Sequence, residues 1–94
     1  MARPTIDSIR ALNRRIADLD AEIDQLDAEL GMARHLDDDA RRDALVTGSF
    51  EDRRDARRTA RDVRRLARLI EKLDVERQRV VVKRDRAVER LSEM

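Results

Sequence analysis

The chain has no cysteine, tryptophan or tyrosine, and only one phenylalanine, one proline and two glycines among its 94 residues. Without cysteine there is no disulfide framework and no thiolate metal site. Phe50 alone cannot supply the rings that usually fill a globular core. No apolar run approaches the roughly 18 residues that span a bilayer. The opening Met-Ala-Arg-Pro-Thr has no apolar stretch of the kind found in signal peptides. A cytoplasmic protein with no membrane partner is the expectation, and the length allows one domain, residues 1–94.

What is present favours helix. Charged residues make up 46% of the chain and arginine is the commonest of them, with alanine, leucine, aspartate and glutamate beside it. Ile9, Leu12, Ile16, Leu19, Ile23, Leu26 and Leu30 recur at alternating steps of three and four, the a and d positions of a heptad repeat. A helix with that stripe must bury it against another helix. Val63, Leu66, Ile70, Leu73, Val80 and Leu91 continue the seam in the second half, with Arg77 and Arg84 at a positions and Ala87 at d. Those arginines either lay their stems on the seam and reach acids such as Asp20 and Glu22, or fix register as buried polar residues do.

The punctuation predicts three helical pieces. Thr5 suits an N-cap, with Asp7 in the first turn facing the positive end of the helix dipole. Helix 1 is expected over about 6–34, with Gly31 as its first weak point. A short helix, about 38–46, follows, capped by Asp37 and with Ala40, Ala44 and Leu45 as its apolar positions. Gly48 fits a C-terminal stop, and Ser49 with Asp52 resembles a capping box opening a last helix over about 50–91. At 1.5 Å per residue the first two pieces together match the roughly 60 Å of the third. The expected fold is all-α: an antiparallel coiled-coil hairpin with a short middle helix, assembling into a dimeric helical bundle. A parallel pairing of first helices is the rival, since Ile at a and Leu at d favour it. Against that pairing, Asp20, Glu22, Asp27 and Glu29 would flank the seam and repel their copies.

Two features lie off the seam. Leu69, Val75, Val81, Val82 and Val88 extend the apolar surface of the last helix beyond a single interface, as a surface for a second chain. Arg54, Arg57, Arg58, Arg61, Arg64, Arg65 and Arg68 all fall at b, c or f, an outward basic ridge roughly 21 Å long. Charge is polarised accordingly: residues 18–39 hold nine acids and one arginine, and residues 53–68 eight arginines and two aspartates. A hairpin turning at Gly48 would bring the acids near Asp37, Asp38 and Asp39 alongside that basic stretch.

The function expected from these features is a non-enzymatic assembly or adaptor module working through helix-helix contacts, a homo-oligomer or the partner of another helical protein. The alternative is nucleic-acid binding through the ridge, by phosphate contacts with little sequence specificity. The stretch RRDARRTARDVRR, followed by Leu66, Leu73 and Val80 at seven-residue spacing, resembles the basic region and zipper of the bZIP family over about 30 residues. It lacks the asparagine with which that family reads bases. Asp18 to Ile23 also resembles the first helix of all-helical chorismate mutases, but Asn13 and Leu30 stand where that family needs arginines. The central turn, Val46 to Phe50, lacks the Trp-x-Gly of the WXG100 family. No catalytic motif, cofactor site or metal site is expected, since one histidine beside three aspartates matches neither a zinc nor a calcium pattern.

Overall fold

The structure is a computed structural model that describes residues 3–93; positions 1, 2 and 94 of the expected single domain lie outside them. It contains two helices, α1 (Ile6–Thr47) and α2 (Phe50–Ser92), which pack against each other as a helical hairpin.

Both helix starts follow from side-chain caps. Thr5 Oγ1 accepts from the Ser8 backbone N–H at 3.0 Å, and Ser8 Oγ accepts from the Thr5 N–H at 2.9 Å, so two otherwise unpaired donors are satisfied reciprocally. Ser49 caps α2 by accepting from the Asp52 N–H at 3.1 Å. The expected box closes differently, because the Asp52 carboxylate takes the Thr47 hydroxyl and leaves the Ser49 N–H to Thr47 Oγ1. Gly48 ends α1 as expected, with φ of 61° and its N–H donated to the Ala44 carbonyl at 2.9 Å. That left-handed conformation costs any residue with a Cβ, which is why glycine stands there.

The expected short middle helix does not exist as a separate element. α1 runs unbroken through Gly31 to Asp37 and on to Thr47. A lone glycine costs a helix interior only about 1 kcal/mol, and no proline is present to remove a hydrogen bond. The aspartates also do other work: Asp38 pairs with Arg41 at 2.6 Å and Asp39 with Arg42 at 2.9 Å, both one turn along the same helix. Asp37, the expected cap, is buried within the helix. Leu45 is not an inward apolar position either; it is 85% exposed.

Continuity lets the heptad phase run on. Beyond Ile9 to Leu30 the seam continues through Ala33, Asp37, Ala40 and Ala44, all buried or half-buried. On α2 it runs from Asp52, Ala56 and Thr59 through Val63 to Leu91, again with no exposed member. The chain divides into two compact units, a terminal unit, Met1–Ile23 with Lys72–Met94, and a turn unit, Asp24–Glu71. In the terminal unit Ile16 and Leu19 are buried, Leu19 completely. In the turn unit the buried apolar residues are Leu30 and Leu66.

Candidate functional site

Every expected seam residue lies on the inward stripe of its helix. Ile9, Leu12, Ile23, Leu26, Val63, Ile70, Leu73, Val80 and Leu91 are half-buried, and Ile16, Leu19, Leu30 and Leu66 are buried. Arg77 takes the first of its two expected arrangements. Its stem lies on the seam and its head reaches Asp20, with the second nitrogen 3.4 Å from the other carboxylate oxygen. The hydrogen bond to Asp20, and then the charge of that carboxylate, raise the Arg77 pKa above its ordinary value. Arg84 donates to Asn13 Oδ1 at 3.2 Å and pairs with Asp85. Arg15 pairs with Glu76, and that hydrogen bond raises its pKa in the same way.

The turn unit holds a polar contact that the seam pattern did not reveal. Asp37, at an a position, is buried; Thr59, at d, places its hydroxyl 2.9 Å from Asp37 Oδ1 and 3.0 Å from the Ala56 carbonyl. The other carboxylate oxygen lies 3.4 Å from Arg41 Nε. A carboxylate this far from water needs such partners. Its signal in the sequence was the unbroken three-four spacing 30, 33, 37, 40, 44, masked by the reading of Asp37 as a cap.

Outside the seam, the surface expected to face a second chain is open. Val75 is 48% exposed and Val88 46%; Leu69 and Val82 are also exposed, and Val81 is half-buried. The helix ends at the turn add Leu45, Val46 and Phe50, all exposed. The basic ridge is equally open, with all seven arginines exposed. Asp37 lies beside Thr59 of the basic stretch, while the close ion pairs of Asp37, Asp38 and Asp39 among the described residues are with Arg41 and Arg42 rather than with the ridge. Among the described residues only Arg58 of the ridge has a carboxylate partner, Asp55 at 3.3 Å.

A further feature belongs to the terminal unit. An open groove of about 710 Å³ is lined by Pro4, Ser8, Ala11, Leu12 and Ala87, with Arg3, Lys83, Arg86 and Arg90 around it. Its α2 cations, Lys83 and Arg90 at g and Arg86 at c, lie on the side of the helix opposite the valines but are separated in the sequence. Among the described residues no group of three or more His, Cys, Asp or Glu is arranged to hold a metal. No helix there is long and apolar enough to cross a membrane.

No protein-family profile, curated protein or solved structure matches this chain. Its surfaces are therefore the whole basis for a functional reading.

Proposed function

We propose that this protein is a non-enzymatic coiled-coil assembly or adaptor module that acts through helix-helix contacts and self-association, a dimer being the favoured state. The observation that carries this reading is the exposure of Val75, Val82 and Val88 on α2, a helix whose seam is already occupied by α1. A two-helix hairpin has one internal interface, so valines on the outer side of α2 gain burial only from another chain. Full burial of such a side chain contributes about 1.5–3 kcal/mol, and these valines, already about half covered, gain part of that.

Light scattering across a range of protein concentrations tests this reading. The expected result is a concentration-dependent dimer that Val75→Ser with Val82→Ser converts to monomer without loss of helicity. A wild-type monomer at all concentrations sinks the self-association reading.

The exposed ridge favours one second reading, nucleic-acid binding. Six exposed arginines on one face of a helix, with no carboxylate partner among the described residues, would supply the sequence-independent phosphate contacts that dominate such binding. Affinity should then fall steeply with added salt. Replacing Arg57, Arg61, Arg64 and Arg68 by glutamine should abolish it with the helices intact.

A further inference from the structure

The groove of the terminal unit combines two properties. Its lining joins half-buried apolar residues, Leu12 and Ala87, with four exposed cations, Arg3, Lys83, Arg86 and Arg90. None of these four cations pairs with a carboxylate among the described residues. An adjoining depression shares Arg3, Pro4 and Arg90 and adds one acid, Glu93. The surface therefore fits an occupant that carries apolar and acidic groups side by side.

The chain carries such a segment on α1. Glu29, Met32, Leu36, Asp39 and Asp43 follow one another at steps of three, four, three and four, and so share one face of the helix. Met32 is 67% exposed and Leu36 58%, two large apolar side chains in the open with acids on both sides of them. Glu29 and Asp43 have no cationic partner among the described residues, and Asp39 has only the exposed Arg42. Apolar anchors one helical turn apart, bracketed by charge, are how a helix seats in a groove on a partner.

We infer that the groove of one copy receives the Glu29–Asp43 face of α1 from a second copy, with Met32 and Leu36 on Leu12 and Ala87 and the acids against Lys83, Arg86 and Arg90. This rests on the reading of the chain as a self-associating module and adds a second contact to it. The two surfaces differ in sequence and in charge, and each copy offers one of each, so every copy can give and receive the contact. Charge complementarity both selects this occupant and makes the contact sensitive to salt.

The test is light scattering on the full chain at low and at high salt, with helicity followed by circular dichroism. The average mass at low salt should be about double that at high salt or more, since screening removes the charge contacts. Lys83→Glu with Arg86→Glu, both on exposed positions, should abolish the increase while leaving the high-salt mass and helicity unchanged. Glu29→Lys with Asp39→Lys should do the same, and mixing the two charge-reversed proteins should restore the increase, each supplying the complement of the other. The inference is overturned by a mass that does not change with salt, by growth that survives the groove substitutions, or by mixing that restores nothing. Failure of the valine interface is read separately, as a high-salt mass indifferent to Val75→Ser with Val82→Ser.

Discussion

The two units of this hairpin meet the same demand in opposite ways. In the terminal unit α1 supplies branched residues, Ile9, Leu12, Ile16, Leu19 and Ile23, while α2 places Arg77, Arg84 and Ala87 on its own seam. Polar groups there leave the seam: the arginine stems stay on it and the heads find Asp20 and Asn13. In the turn unit Leu30 and Leu66 give way toward the turn to Ala33, Ala40, Ala44 and Ala56, and the polar group stays inside, where Asp37 meets Thr59. Long side chains export their charge, whereas a short carboxylate among alanines needs a partner beside it. Both units bury apolar residues, but among the described residues only the turn unit keeps a charged group buried on its seam.

Replacing Leu19 by alanine attacks the first of these arrangements at its most enclosed point, where no surface is exposed. The expected loss is about 2–5 kcal/mol, the usual cost of emptying a buried leucine site, read from the denaturant midpoint at constant slope.

In the turn unit the sharper change is Thr59→Val. It keeps the shape of the side chain but removes the donor to a buried carboxylate, and should cost about 1–3 kcal/mol. Adding Asp37→Leu should recover most of that loss, because an apolar pair leaves nothing unsatisfied. A double variant no more stable than Thr59→Val alone would show that the Asp37 contact to Arg41 matters more than the contact across the seam.

Smaller effects separate the two glycines. Gly48→Ala forces a Cβ into the left-handed region and should destabilise by about 1–2 kcal/mol, although nothing lies within 4 Å of the added carbon. Gly31→Ala meets open space in the middle of α1 and should instead stabilise by about 0.5–1 kcal/mol. Thermal melts of the two single variants give the signs directly.

The helical class, the turn at Gly48, both N-caps and the path of Arg77 to Asp20 were legible in the residues. Each depends on local chemistry or on a strong apolar period. The continuity of α1 was not, because between residues 31 and 44 the seam is written in alanine and aspartate, which carry little hydrophobic signal. A glycine followed by three aspartates reads as an interruption, and only the i, i+3 arginines show why it is none. The basic groove was hidden for another reason. Its cations are scattered at c and g on α2 and joined by Arg3 from before α1, so no continuous run announces them.

The uninterrupted heptad phase, from Ile9 to Ala44 and from Asp52 to Leu91, restricts how the length of this chain can change. A single residue inserted within either helix rotates everything beyond it by about 100° relative to the residues before it, turning a buried leucine outward and an exposed arginine inward. An insertion of seven restores the phase almost completely. Chains of this architecture should therefore differ in length by whole heptads in both arms together, with the Thr47-Gly48-Ser49 turn as the fixed point from which each arm is counted.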